Sequence, residues 1–437
     1  MKPIYVLALF ALALPIRCLG QTESPPAVSL AKAAAPLSID EAVNEALHAN
    51  PEILAAVRRL SLAQLKTATA RSLDDPMLEV RDWDTPLRKP WDLNQAQGMF
   101  MVQQSFQSKQ KRDLRARVAG DDASVAAEEL ETQRQEVSVE VRKTCADLMR
   151  NADEFQVHNR QMALLKEALA AALAQYTAGK VQQADVLRAQ TALTRLNEHH
   201  IELEEQRDDA RAQLSTLLGR EPDAVVEVAG AYASPAALPS IEELERLAIE
   251  HRPELSALRK QVAKSKDGSQ LTRLAMKPDF TVGLGYMVMP TGSAFRNAYM
   301  AEASMNLPWL NRERHDGEAR EADAATDVSQ AELEARTSAA FLEVRRAQID
   351  VLAAQKRVKL YRDTLLPQAE AVFKASTAAY QNDRAEFMSL IESQNLLLDI
   401  QTAYYQASAA TDAGLAELER AIGSPLPAAP DTERTGK

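Results

Sequence analysis

Cysteine is nearly absent: the 437 residues hold two, Cys18 and Cys145. Cys18 falls within an N-terminal leader, so the mature chain keeps one thiol and can form no internal disulfide. A lone cysteine on a helix is more often a small packing residue than a nucleophile, and Cys145 is read that way. Long apolar runs are missing too. Beyond the N-terminus, no stretch reaches the ~18 apolar residues of a membrane-crossing helix. Positive charge is in deficit, with 51 Lys and Arg against 62 Asp and Glu, a net charge of −11. That balance argues against a nucleic-acid partner. No HExxH, no nucleophile–His–acid set and no phosphate-cradling glycine loop is found among the residues. Catalysis is not expected, and neither is a cofactor.

The leader itself is plain. Met1-Lys2 precedes an apolar run from Ile4 to Ile16 and then Arg17-Cys18-Leu19-Gly20-Gln21. A 13-residue apolar core is a secretory signal, too short to span a bilayer. Cleavage is placed after Gly20. The alternative, acylation of Cys18, is disfavoured because Arg17 stands where that signal wants a small residue. Loss of Lys2 and Arg17 takes the net charge from −11 to −13.

The rest of the chain is a duplication. Ser38-Ile-Asp-Glu-Ala and Asn50-Pro51-Glu52-Ile53 return as Ser240-Ile-Glu-Glu-Leu and Arg252-Pro253-Glu254-Leu255. The register continues to Pro76 against Pro278. Later Tyr176 matches Tyr380, Gln190 matches Gln394, Leu214 matches Leu418 and Gly219 matches Gly423. A period of about two hundred residues is too long for a solenoid repeat and marks a duplicated domain. The expected layout is a tether over 21–37, a first repeat over 38–229, a linker over 230–239, a second repeat over 240–423 and a tail over 424–437.

Each copy has one order of elements. Ser38 and Ser240 cap a helix, Pro51 and Pro253 start the next, and Pro76 and Pro278 end it. Two strands follow, at about 77–86 and 98–106 in the first copy, and 279–289 and 298–307 in the second. Phe280, Val282, Leu284, Tyr286 and Val288 alternate with Thr281, Gly283, Gly285 and Met287. Phe100 and Val102 share one face. Tyr299, Ala301, Ala303 and Met305 oppose Met300, Glu302, Ser304 and Asn306. About ten residues is the length of a tilted outer-membrane strand. Then come two rods, 107–177 and 311–380, in which Gly120, Gly317 and Pro367 are the only glycines or prolines. Seventy helical residues would run roughly 105 Å. Such polar helices must pack along others, and Pro367 should kink its rod. Turns at Gly179 and Asp383 lead to returning helices that end at Gly219 and Gly423.

Four strands cannot close a barrel, and open edges in lipid cost several kcal/mol per unpaired group. A membrane reading therefore requires several copies; three would supply twelve strands. Here the chain resembles the TolC-like outer-membrane efflux proteins, over residues 38–423. The carriers are Pro51-Glu52, Pro253-Glu254, Pro278-Asp279-Phe280, Gln104-Ser-Phe, Asn306-Leu-Pro-Trp, the tip Tyr176-Thr-Ala-Gly179 with Asp185-Val-Leu-Arg-Ala-Gln190, and the endings Leu-Leu-Gly219 and Ala-Ile-Gly423. The resemblance implies a mainly α fold with a membrane β-barrel: duplicated four-helix, two-strand halves, and a homotrimer whose 12-stranded barrel continues as a long α-helical barrel. It implies a bacterial outer-membrane duct reaching into the periplasm and meeting a periplasmic adaptor and an inner-membrane pump of the resistance–nodulation–division class. The strand-end Asn306-Leu-Pro-Trp leans toward the heavy-metal branch of the CusC and CzcC type.

By position in the family, Asp185, Arg188, Ser389 and Glu392, with Arg384 beside the turn, fall at the channel constriction. Ser389 departs from the acidic residue common there. Adaptor docking carries over to the helix tips at Gly179, Lys180, Asp383 and Arg384. Charges on a helical hairpin are otherwise simply solvated. Met287, Met289, Met300 and Met305 lie in or beside the third and fourth strands; thioethers suit Cu(I) or Ag(I), but lipid-facing or gap-filling roles are commoner. His199-His200 and His315 read as solvated, and no metal site is assigned. Trp83, Trp91 and Trp309 flank strands as interfacial anchors or junction packing. The alternative architecture is a soluble periplasmic coiled-coil adaptor or structural protein, which would not duplicate the strand pair.

Overall fold

The computed structural model describes residues 36–83, 97–179, 181–233, 237–289, 297–382 and 387–427. The leader, Cys18 and Trp91 lie outside them. The first copy runs α1 (Ile39–Ala49), α2 (Pro51–Arg71), β1 (Met77–Trp83), β2 (Gln97–Phe106), α3 (Lys109–Thr177) and α4 (Gln183–Leu217). The second runs α5 (Ile241–His251), α6 (Pro253–Arg273), β3 (Phe280–Val288), β4 (Asn297–Met305), α7 (Arg312–Leu360), α8 (Leu366–Gln381) and α9 (Phe387–Ile422).

Helix starts follow their sequence signals. The Ser38 hydroxyl accepts from the Glu41 amide, and Glu41 returns the bond to the Ser38 amide. Ser240 accepts from Glu243 in the second copy. Pro51 and Pro253 each hold the first helical position, where a missing N–H costs nothing. Helix ends differ from expectation. α2 stops at Arg71, five residues short of Pro76, where both the amide and the hydroxyl of Ser72 turn back to the Thr69 carbonyl. α6 stops at Arg273 and tightens into a 3₁₀ turn over Leu274–Met276. The prolines forbid helix ahead of them, and the local caps close it earlier.

The second rod is interrupted just ahead of Pro367. Pro367 cannot donate to the carbonyl four residues back, and the chain answers with a wide π turn over Tyr361–Leu365 before α8 resumes. The α3 rod, by contrast, is continuous over 69 residues.

The strands form one antiparallel sheet in the order β1-β2-β3-β4. Register sets two faces. Leu78 and Val80 sit opposite Val102 and Phe100, which in turn face Leu284 and Tyr286, and then Ala301 and Tyr299. This apolar face is exposed, Tyr299 to 91 %. The other face carries Glu79, Gln103, Thr281, Glu302 and Ser304, but also Met99 and Met101, which are buried. Gly283 and Gly285 lie beneath Met101: a β-carbon on Gly283 would stand 3.0 Å from its sulfur. The four methionines singled out from sequence do not share a face. Met287 and Met300 lie on the Met101 side, Met305 pairs with Phe280 on the apolar side, and Met289 falls past the end of β3. Lys111 pins the sheet to the rods: its buried ammonium donates to both carboxylate oxygens of Asp279 (2.8 and 2.9 Å) and to the Lys277 carbonyl.

Three apolar clusters hold the helices. One joins Ala42, Ile53, Val141 and Leu214 in the first copy; a second joins Leu244, Val344, Val351 and Leu418 in the second. The third, near the tips, joins Leu165, Ala172, Val186 and Ala189 to Ile391. The end of the tether is strapped to the end of the first repeat, where Leu37 bridges Val228, and the linker is held by the Tyr232 hydroxyl, which donates to Asp153.

Candidate channel tip and gate

The first tip is built by a glycine. Helix α3 ends at Thr177, and Gly179 takes φ 71° with open space around it, so the turn uses its conformational freedom and nothing else. Helix α4 starts four residues later and carries Asp185 and Arg188 one turn apart, paired at 3.7 Å. Arg188 also lines a groove between α4 and α9 with Arg195, His199, Asn395, Asp399 and Gln406. On α9, Ser389 and Glu392 are exposed, and Glu392 makes no ion pair with another described residue. The structure thus brings Asp185 to Arg188 but does not join either to Glu392. Lys180, Asp383 and Arg384 lie outside the described residues.

The two hairpins are fastened just above the tips. Gln394 is buried and donates to the Gln161 carbonyl of α3 (3.1 Å), and the Tyr380 hydroxyl reaches Gln175 (3.3 Å). Their first-copy counterparts, Gln190 and Tyr176, are exposed.

Three features escape sequence reasoning. A half-buried charge network surrounds the buried Arg252, which bonds Glu343 and also Glu254 (3.0 Å), while Arg336 bonds both acids. Arg420 approaches the same acids at 3.8 and 3.9 Å. In the sequence these are ordinary helix-surface charges; only the meeting of α6, α7 and α9 makes them a cluster. Second, Gly219 and Gly423 take positive φ (68° and 76°) hard against the end of the first helix of their own copy. Their recurrence in the repeat was the available signal. Third, His158 of α3 is buried against His199 and His200 of α4, with ring centroids 5.5 and 5.4 Å away. The two adjacent histidines are therefore not simply solvated; His315, bonded to Glu318 at 3.1 Å, sits on its own helix. Folding α3 and α4 back about residue 180 would have placed 158 near 200. Trp309 is half-exposed in a 3₁₀ turn after β4. Among the described residues, no helix is long and apolar enough to cross a membrane, and no group of three or more His, Cys, Asp and Glu side chains could hold a metal ion.

Comparison with known proteins agrees with this architecture. The chain is 22 % identical to the cobalt-zinc-cadmium resistance protein CzcC of Cupriavidus metallidurans over 394 residues, 90 % of this chain and 91 % of that one. Its fold is similar to the outer membrane protein VceC of Vibrio cholerae, with a TM-score of 0.74 and 18 % identity, covering 89 % of this chain and 96 % of the other. It is also similar to CusC, with a TM-score of 0.74 and 13 % identity, covering 93 % and 99 %. Both copies of the repeat, residues 42–220 and 244–424, match the family described as outer membrane efflux protein. Such proteins are channels of the bacterial outer membrane that extend into the periplasm and work with adaptors and inner-membrane pumps; they are not enzymes. That match spans most of the chain and sets aside the soluble-adaptor alternative: the chain belongs to the outer membrane efflux protein family.

Proposed function

We propose that three copies of this chain form a passive exit duct for metal ions, driven by an inner-membrane pump of the resistance–nodulation–division class. The observation that carries the trimer is the open four-stranded sheet with one exposed apolar face. In lipid the outer edges of β1 and β4 would cost several kcal/mol per unpaired backbone group, and pairing them across copies removes that cost. Three sheets give twelve strands, a size at which an interior channel exists. The polar rods then continue the wall, with exposed apolar residues on α7, such as Leu342 and Ile349, available to a neighbouring copy.

Metal ions are favoured as cargo by the likeness to CzcC over nine-tenths of the chain. Asp185, Arg188, Ser389 and Glu392, with Arg384, form the constriction, since charges ringed around a narrow axis repel one another and attract counter-ions. Gly179, Lys180, Asp383 and Arg384 present the tips to the adaptor. Residues 1–20 are removed on export, and 21–37 tether the first repeat.

A tolerance panel on a strain lacking this chain tests the reading. Sensitivity confined to cobalt, zinc, cadmium, copper or silver is expected. Sensitivity to dyes, detergents and antibiotics instead would make it a drug duct and remove the metal assignment.

A further inference from the structure

The pairing of α3 with α4 is apolar at both ends and carries a polar row between them. Toward the sheet, Val137, Val141, Cys145 and Leu148 of α3 share a cluster with Leu214 of α4. Near the tip, Leu165 and Ala172 share another with Val186 and Ala189. Between the two, Asn151, Glu154, His158 and Gln161 recur at three- and four-residue spacing, which puts them on one face of α3. None is more than 4 % exposed. Buried polar atoms are ordinarily paired. Here Asn151 Oδ1, Glu154 Oε1, Gln161 Oε1 and both ring nitrogens of His158 have no hydrogen-bond partner among the described residues. The bonds that do hold the row are few: Asn151 Nδ2 donates to the Leu203 carbonyl of α4 (2.9 Å), and Gln394 of α9 donates to the Gln161 carbonyl (3.1 Å).

His158 is the group in this row that can gain a charge. Its ring stacks on His200 at 27° and meets His199 at 59°, so its nearest titratable neighbours are two more imidazoles. The surrounding charges are engaged elsewhere. On α3, Glu154 is held by Arg150 at 3.0 Å, Asp153 accepts from Tyr232 of the linker, and Arg160 donates to the Gln156 carbonyl. On α4, Glu202 bonds His199, Glu204 stands 3.7 Å from His200, and Arg207 lies over the Phe155 ring. On α9, Asp399 lines the groove beyond His199, while Tyr405 stacks against Tyr404. Burial, followed by the two facing imidazoles, pulls the His158 pKa from 6.5 down to about 4. A released ring therefore takes up a proton more readily than the packed one. Packing keeps its full strength above about pH 6.5 and loses this contribution as pH falls toward about 4.

We propose that this buried polar row is an acid-sensitive lock between α3 and α4: neutral His158 holds the helices together, and its protonation releases the middle of the pair while the apolar clusters at both ends stay closed. A proton would put a charge into a buried site that offers it two imidazoles and no free carboxylate, and separation of the helices lets water reach it. Leucines at these positions would grip at any pH; a histidine makes the grip conditional. The lock's bearing on transport rests on the duct reading, because the same hairpin carries Asp185 and Arg188. The lock itself stands on the packing, and loss of the duct reading would leave it to be judged by the measurement below.

The test is amide hydrogen exchange of the full chain, purified in detergent, at pH 7.5 and pH 5.0, with rates corrected for the intrinsic effect of pH. Protection of residues 151–161 and 197–204 should fall at least tenfold at the lower pH, while residues 137–148 keep theirs; a shift from 6.5 to about 4 sets a ceiling of about thirtyfold. In His158→Leu the two pH values should give the same protection. Where that variant does not fold, the pair His199→Gln and His200→Gln serves: it removes the facing imidazoles but not the burial, so the fall should shrink without vanishing. Equal protection at both pH values in the unaltered chain overturns the proposal, as does a loss spread equally over residues 137–148. An undiminished fall in His158→Leu, or in the glutamine pair where His158→Leu does not fold, overturns it too.

Discussion

The same corner is built twice, once around a neutral asparagine and once around an arginine. In the first copy Asn50 links α1 to α2: its side-chain oxygen accepts from the Glu52 and Ile53 amides, and its amide donates to the Leu217 carbonyl at the end of α4. Gln133 of α3 meets Glu52 at 2.9 Å. In the second copy the matching position is Arg252, which makes no side-chain cap and instead reaches Glu254 and Glu343; Arg336 of α7 stands where Gln133 did. Both corners close on a left-handed glycine at the end of the returning helix. Duplication therefore kept the backbone joint and let the polar chemistry diverge. Buried ion pairs rarely add stability over an apolar filling, yet breaking one leaves an uncompensated charge. The second corner is thus the more brittle to mutation, whatever its net contribution.

The shared joint should show the largest effects. An added β-carbon on Gly423 would lie 2.6 Å from backbone atoms of Arg252 and His251, and on Gly219 2.5 Å from the Ala49 carbonyl oxygen. Backbone cannot step aside as a side chain can, and φ is wrong for alanine as well. Gly423→Ala and Gly219→Ala should each cost about 3 kcal/mol or more. Gly179→Ala, with equal φ but open space, should cost only about 1–2 kcal/mol. Thermal melting of the solubilised protein, followed by circular dichroism, separates the two classes. Equal losses at all three would refute the claim that contact dominates.

Next come the corner side chains. Arg252→Ala removes the buried cation and its charge-assisted hydrogen bonds, leaving Glu254 and Glu343 to Arg336 and Arg420, and should cost about 2–3 kcal/mol, whereas Asn50→Ala loses a cap worth about 1–2 kcal/mol. The difference has a pH signature. Burial alone would raise the Glu343 pKa, but hydrogen bonds and charge from Arg252 and then Arg336 hold it below its ordinary value of 4.5. A carboxyl depressed in the folded state contributes fully above its unfolded pKa and loses that contribution as pH falls through the folded one. The gap between the unaltered protein and Arg252→Ala should therefore narrow in acid below about pH 4.5. For Asn50→Ala the gap should stay constant.

Much of this architecture was legible because it is local or periodic. Serine caps, Pro51 and Pro253, the alternation in β3 and the glycine at 179 each act within a few residues of themselves. The family, the mainly helical fold and the sheet followed from those signals in duplicate. What was not legible required two or three elements to meet. Arg252, Glu343 and Arg420 look like any solvated helix charges until α6, α7 and α9 converge. Histidines 199 and 200 looked exposed because their partner is forty residues away on the facing helix. Methionines 287, 289, 300 and 305 looked like one set by nearness in the sequence, although alternation alone already put Met300 and Met305 on opposite faces of their strand. The π turn before Pro367 was hidden for a different reason: a proline predicts a disturbed helix, not which way the chain absorbs it.

Smaller effects should appear where the copies differ at the tips. Gln394→Ala removes a buried bond to the Gln161 carbonyl and should cost about 1–2 kcal/mol, while Gln190→Ala, on an exposed face, should be within about 0.5 kcal/mol of neutral. The smallest stability change belongs to the proposed gate, and there conductance is the informative readout. The Asp185–Arg188 pair joins a half-buried carboxylate to an exposed guanidinium at 3.7 Å, so Asp185→Asn should shift melting by less than about 1 kcal/mol. Glu392 has no such partner among the described residues, so three copies would present their charge to the axis undivided. In single-channel recordings, Glu392→Ala should weaken block by divalent cations more than Asp185→Asn does, because Arg188 already offsets the Asp185 charge. Unchanged conductance and unchanged block in Glu392→Ala would take that residue out of the gate and leave the first copy's tip as the constriction.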